Sequence, residues 1–454
     1  MCPSRQSHAS SEQSNQPSSG QASQQGSQSP AKPADLLTTA TAELIDSIQA
    51  GEAANQRAST HAAIPTSDTI DVSFVLPCLN EAKTLAACIH STNACGTSLG
   101  LRFETIIADN GSTDGSQAIA LLHGARVINV RVRGYGATLR AGFASARGTM
   151  IVMGDADQSY DFREAAPMLT RLANGADMVM GSRMPAGGGS IMPGAMPWKH
   201  RYIGNPALST LGRFLFRTPV TDFHCGLRAL TRSTAQRLDL RSDGMELASE
   251  MVARAALLGL RIDEVPITLH KDGRDRPPHL RSWRDGWRHL SFMLCLAPRW
   301  TLLAPGASLL ALGVFLIVLV GAGPLAIAGI RLDIHTLIAA CMMVLVGTQA
   351  MLASLAARGL ALSTRIGPPP KAAVYALGLL TPFRALCIGL GLGIAGLVLI
   401  ALPMTNWINA SLGDLDQSQT LRPMILGCTL MALGAQVVST AWLLAMLRVA
   451  RQSL

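Results

Sequence analysis

Three patterns of apolar and polar residues succeed one another along this chain, and each predicts a different kind of structure. Between residues 71 and 269, short β-rich apolar runs alternate with helical-period segments. "VSFVLP" (72–77), "FETIIAD" (103–109), "ARVINV" (125–130) and "TMIVMGD" (149–155) read as strands. A helical pattern over 81–92 follows the first, "GSTDGSQAIALL" turns into a helix after the second, and the glycine-opened "GYGATLRAGFASAR" follows the third. Strands alternating with helices predict an α/β domain around a mainly parallel sheet covered on both faces.

After residue 300 the alternation gives way to four apolar runs almost free of charge, at 302–325, 335–357, 386–404 and 424–447. Each reaches the ~18 residues expected of a membrane-spanning helix, and four in succession argue against buried helices of a soluble domain. The start of the chain is the opposite. "SSEQSNQPSSGQASQQGSQSP" has too little apolar surface to offset its ordering entropy, so residues 1–70 are expected to be a disordered Ser/Gln-rich tail. The tail lacks the apolar core of a signal peptide. Residues 35–53 carry the pattern of a transient helix, to which no function is attached.

Charge orients the apolar half. Arg358, Arg365, Lys371 and Arg384 lie between the second and third runs, and Arg448 and Arg451 follow the last. The other two loops offer Arg331 and Arg422, with Asp414 and Asp416 beside the latter. Positive-inside bias places the middle loop, the C-terminus and everything before the first span in the cytoplasm, at the inner membrane. Much of the +9 net charge lies near span ends and in 281–299, which points to anionic lipid rather than nucleic acid as partner. The nine cysteines show no C-x-x-C spacing or Cys/His cluster and read as reduced thiols.

In doubly covered parallel sheets, ligands bind beyond the carboxyl ends of the strands. Pro77, Asn80 and Glu81 follow the first strand, Asp109 ends the second, and Asp155 and Asp157 in "MGDADQSYDF" (153–162) follow the fourth. Arg183 in "MGSR" (180–183) follows a fifth. One rim of the sheet therefore collects these acids, which a D-x-D triplet in an ordinary turn would not explain.

"VLPCLNEAKTL", "IIADNGSTDGS", "MGDADQSYDF" and "MGSR", in this order, resemble family 2 glycosyltransferases of the GT-A fold. "TDFHCGLRALTR" (221–232) is similar to a segment of polyprenyl-phosphate sugar transferases of the dolichyl-phosphate mannose and glucose synthase type. "HKDGRDRPPHLRSWRDGWRHL" (270–290) resembles the basic stretch leading bacterial members into the membrane. The resemblance implies inverting transfer of a glycosyl group from a nucleotide-diphosphate sugar to an undecaprenyl-type polyprenyl phosphate. A divalent cation, Mg²⁺ or Mn²⁺, stabilises the departing diphosphate in such a reaction.

By this resemblance Asp157 is the first choice of metal ligand, and Asp155 lies against the ribose and helps fix the metal. Ser159 stands where mannose-type synthases carry a second ligand, Gln, in D-A-D-L-Q. Pro77, Leu79, Glu81, Asp109 and Ala156 are assigned to the nucleotide sugar, with Leu79 replacing a frequent aromatic. For Glu81 the alternative is a helix N-terminal charge, and for Asp114 a turn or cap. Arg183 is expected on a donor or acceptor phosphate, because guanidinium suits phosphate oxygens. Asp222 is a positioning residue, since a phosphate nucleophile is already ionised. Arg228 is either a substrate contact or an exposed strand-end charge, and His224 and Cys225 are packing residues.

Lys271, Arg274 and Arg276 are expected on the acceptor phosphate. Trp283 and Trp287 suggest a helix lying in the interface. "MPAGGGSIMPGAMP" reads as a lid or an unstructured loop. "GLGLGIAG" (389–396) permits close helix approach, within the chain or in a homo-oligomer. The expected division is a tail at 1–70, the GT-A domain at 71–277, an interfacial segment at 278–300 and four membrane helices at 301–454. Two rivals exist. A processive polysaccharide synthase would carry Q-x-x-R-W, but "CLAPRW" (295–300) has Leu296 in the Gln position. A non-catalytic membrane scaffold would not need Asp109, Asp155, Asp157 and Arg183.

Overall fold

Val72 to Leu76 are buried throughout, and their side chains alternate between two cores as the strand period requires. Phe74 and Leu76 enter one, with Ile107, Val152 and Phe162. Val75 enters the other, with Ile106, Ile151, Leu139 and Phe143. A strand apolar on both sides belongs at the centre of a covered sheet. The computed structural model describes residues 69–275, 282–327, 329–363, 371–409 and 417–452. Residues 35–53 and Arg276 lie outside the described residues.

The first half alternates β1 (Val72–Cys78), α1 (Ala82–Ser98), β2 (Phe103–Asp109), α2 (Ser116–Leu122), β3 (Arg126–Asn129), α3 (Tyr135–Ser145) and β4 (Met150–Met153). Then come α4 (Ala166–Ala173), β5 (Met178–Ser182), β6 (Ser190–Ile191), α5 (Asn205–Phe216) and β7 (Arg228–Thr231). The domain closes with α6 (Arg232–Leu238), α7 (Leu247–Leu257), β8 (Ile262–Pro266) and β9 (Thr268–Leu269). Seven strands form one sheet in the order β3-β2-β1-β4-β7-β5-β8. All its pairs are parallel except those of β7, which runs antiparallel between β4 and β5.

The chain leaves β1 towards β2 and β3, then returns to place β4 on the other side of β1. This reversal opens a crevice at the carboxyl ends of β1 and β4, the usual ligand position in open α/β sheets. Gly134 introduces α3 at φ 141, where an added Cβ would collide with the Asp243 carbonyl. The glycine-rich loop after β5 is pinned, because β6 within it pairs in parallel with β9.

Helix α8 (Ser282–Leu296) leads to the membrane part. There α9 (Ala304–Val320) is joined by the hairpin β10 (Leu325–Ile327) and β11 (Ile330–Leu332) to α10 (Ile334–Ser363). The first apolar run therefore yields a helix that stops at Val320, and its last residue, Leu325, opens the hairpin. Then follow α11 (Lys371–Leu379), α12 (Pro382–Asn409) and α13 (Gln417–Gln452). Among the described residues, four helical segments are long and apolar enough to span a bilayer: Arg299–Val320, Ile334–Leu360, Pro382–Asn409 and Thr420–Leu447.

Glycines bring these helices together in pairs. A Cβ added at Gly427 would lie 2.6 Å from the Gly396 carbonyl, and one at Gly434 would lie 2.6 Å from that of Gly389. The "GLGLGIAG" stretch is thus used within the chain, between α12 and α13. Gly306 and Gly347 face each other in the same way between α9 and α10. Lacking a hydrophobic driving force between them in lipid, such helices gain from close backbone packing.

Candidate active site

The acidic loop leaves β4 at the crevice and meets the loop after β1. Glu81 precedes α1 and Asp157 follows β4; both are buried, and both turn their carboxylates to Arg274. Arg274 Nη1 is 3.0 Å from Asp157 Oδ2, and Nη2 is 2.8 Å from Glu81 Oε1. Arg274 Nε also donates to both Glu81 oxygens, at 2.9 and 3.1 Å. The other Asp157 oxygen accepts the Ser159 N–H at 2.9 Å, so Ser159 meets the acid through its main chain. Ala156 is buried, and its carbonyl accepts from Thr84 Oγ1 at 2.7 Å. Asp155 accepts the Tyr135 hydroxyl at 3.0 Å. Desolvation, reinforced by the charge of Asp157, pushes the Asp155 carboxyl up to about 6.

The stretch carrying Arg274 lies as a strap along this loop. His270 N–H donates to the Ser159 carbonyl and Gly273 N–H to the Asp157 carbonyl, each at 2.9 Å. Lys83 Nζ holds both oxygens of Asp275 at 2.6 Å on the exposed outer side. Lys271 is exposed.

Arg183 and Asp222, by contrast, face inward and bind each other. Nε and Nη2 of Arg183 donate to the two Asp222 oxygens at 2.7 and 2.8 Å, and Nη1 reaches the Tyr160 hydroxyl at 3.4 Å. Burial opposes ionisation of Asp222, but the charge and hydrogen bonds of Arg183 outweigh it and hold the carboxyl below its ordinary range. In this structure Arg183 is thus held in a buried ion pair. Tyr160 extends the cluster by accepting the Gly226 N–H at 2.9 Å, while Glu264 accepts the main-chain N–H groups of Thr221 and Asp222 at 2.7 and 3.1 Å.

Arg228 is not exposed, although it opens β7 beside Met153 at the carboxyl end of β4. It is fully buried and donates to the carbonyls of Cys225, Ala248 and Phe223 at 2.8, 2.7 and 3.0 Å, which shapes the loop carrying Asp222. Asp109 is buried and engaged by its own turn, accepting from Gly111 and Ser112 N–H at 3.0 Å and Gln117 Nε2 at 2.7 Å. Asp114 caps, as its alternative reading holds: it accepts the Ala82 N–H at 2.9 Å and the Ser116 N–H at 3.1 Å. Pro77 and Leu79 are half-buried at the end of β1. Cys225 is a buried packing residue whose thiol burial pushes up to about 12.

Sequence reasoning missed Tyr135 and Tyr160, although both lie in motifs it had singled out. It also missed a buried chain behind Asp222. The Ser249 hydroxyl lies 3.2 Å from His224 Nε2 and 2.9 Å from His289 Nδ1, joining that loop to α8.

Among the described residues no three His, Cys, Asp or Glu side chains gather as a metal cluster. The Asp157 and Glu81 carboxylates nevertheless converge on one cation, the guanidinium of Arg274. Such oxygen donors suit Mg²⁺ or Mn²⁺, which commonly take one or two carboxylates plus substrate phosphates, so the residues fit the ion.

The sheet is GT-A-like, its acids line the crevice of an α/β ligand site, and the helical half defines a membrane protein. The glycosyl transferase family 2 profile matches residues 73–238, and that of the family 2 C-terminal transmembrane region matches 355–448. The chain belongs to glycosyltransferase family 2. The low-salt glycan biosynthesis hexosyltransferase Agl6 of Haloferax volcanii is 40% identical over 282 residues, covering 62% of this chain and 67% of that one. A dolichyl-phosphate hexose transferase of the same organism is 29% identical over 43% of this chain and 82% of its own length. A polyprenol monophosphomannose synthase of Mycolicibacterium smegmatis is 30% identical over 45% of this chain and 78% of its own. This protein is accordingly a glycosyltransferase with polyprenol-phosphate hexosyltransferases among its relatives.

Proposed function

We propose that the protein moves a hexosyl group from a nucleotide-diphosphate sugar to a polyprenyl phosphate at the cytoplasmic face of the inner membrane, with inversion. The observation that carries this reading is the convergence of Asp157 and Glu81 on one cation in the β1/β4 crevice. Asp157, with Glu81 or Asp155 beside it, would hold Mg²⁺ or Mn²⁺. When bound, the ion supplies positive charge against the diphosphate oxygens.

An acceptor phosphate oxygen attacks the anomeric carbon as the bond from that carbon to the diphosphate oxygen breaks. The nucleoside diphosphate leaves with the electron pair. The nucleophile is ionised at neutral pH and needs no general base, which agrees with Asp222 being held by Arg183. In this reading Arg183, Asp222 and Tyr160 keep the strand-end loops in place, Pro77, Leu79 and Asp109 border the nucleotide, and Lys271, Arg274 and Arg276 receive phosphate. Catalysis rests on orientation and charge stabilisation in a largely buried site.

Two surfaces support the lipid acceptor. Helix α8 buries Asp285, His289 and Met293 on one side and exposes Trp283 and Trp287 on the other, as an interfacial helix would. Helix α5 and the turn before it expose Tyr202, Ile203 and Phe214, which line a shallow groove of about 700 Å³ with Pro206, Ala207 and Leu211. The Phe214 ring lies 4.4 Å from Trp300, in the first spanning segment, so the groove opens beside the bilayer entry. Incubating membranes containing the protein with a panel of nucleotide sugars and polyprenyl phosphate, followed by mass spectrometry of the lipids, tests the proposal. One added hexose supports it. Chain growth would favour a processive synthase, and no lipid product from any donor would contradict it.

A further inference from the structure

Arg274 is both the expected acceptor-phosphate contact and the cation seated on the Asp157–Glu81 pair. A divalent ion bound to Asp157 would lie within a few ångströms of the guanidinium and be repelled by it. Both Asp157 oxygens are already engaged, Oδ2 by Arg274 and Oδ1 by the Ser159 N–H, so an ion must enter beside the guanidinium. Without a nearby cation, the two buried carboxylates would repel one another and favour protonation. Arg274 satisfies them, and the strap contacts at His270, Gly273 and Asp275 hold it there.

We propose that Arg274 is a built-in counter-cation that competes with the divalent ion for Asp157. Donor binding with its ion displaces the guanidinium, which then moves on its strap to a phosphate oxygen. Charge in the crevice is balanced before and after donor entry, and the arginine faces the acceptor phosphate only once the donor is in place. This rests on Asp157 as the ion's ligand.

The test is a Mn²⁺ titration of the full-length protein in detergent without nucleotide, followed by loss of the free-ion electron paramagnetic resonance signal. Arg274→Gln should bind Mn²⁺ about tenfold more tightly than the parent, with Arg274→Lys between them. Lys83→Ala, which releases only the exposed Asp275 clasp, should shift affinity the same way by a smaller factor. Thermal unfolding of each variant confirms that it is folded. Equal or weaker Mn²⁺ binding by Arg274→Gln, with binding abolished in Asp157→Ala, would overturn this inference and leave the proposed function standing. Absence of Mn²⁺ binding in every variant, or binding that survives Asp157→Ala, would overturn both.

Discussion

A buried charge is stable only when its partner is fixed, and Arg183 with Asp222 meets that condition. Arg183→Ala should cost about 3–5 kcal/mol, because it leaves the Asp222 carboxylate buried and uncompensated. A fall in thermal midpoint, with expression retained at low temperature, would show it. A loss of activity with no loss of stability would instead indicate a phosphate contact. At this scale the sequence was legible where position along a strand decides the role. Glu81, Asp155 and Asp157 are strand-end residues, and the rim rule brings them together. Partners were not legible. Arg274 meets Glu81 across 193 positions, and neither residue's local pattern announces the other. Of the two readings of Arg228, the exposed charge fails, because loop carbonyls solvate it in the interior. The donors that its own turn supplies to Asp109 were not legible either.

Among the elements, α8 divides its faces by the i, i+4 rule, and its buried face carries a titratable group. Desolvation lowers the His289 ring to about 4, with the positive charge of Arg228 acting the same way and Glu246 and Asp285 opposing. His224 and the Ser249 hydroxyl also face it. The fold holds the ring neutral while the unfolded chain takes up a proton near pH 6.5. The unfolded state therefore binds more protons between about 6.5 and 4, and stability falls as pH drops through that window. Thermal unfolding across it should show this decline, and His289→Phe should make it shallower.

In the membrane part, Gly396→Ile should separate α12 from α13, because the added side chain meets the Gly427 carbonyl and Met431. A lowered thermal midpoint in detergent, with Gly391→Ile as a control where a Cβ meets nothing, checks this. Five β-strands and four spans were readable from period and length. β7 was not, since "RALT" is too short to show a period and its antiparallel place depends on β4 and β5 lying ready on either side. The hairpin after α9 was likewise absorbed into an apolar run that continues past the helix end.

The whole molecule joins the β1/β4 crevice to apolar helices long enough to span a bilayer. α8 and the α5 groove meet the first spanning segment, where the Phe214 and Trp300 rings pack together. The central claim is that charge held at Asp157 drives departure of the diphosphate. Asp157→Ala should lower transfer of hexose to polyprenyl phosphate by about 100-fold or more, with membrane insertion and thermal stability retained. Lipid-linked sugar from that variant, measured by mass spectrometry at parental levels, would contradict the account.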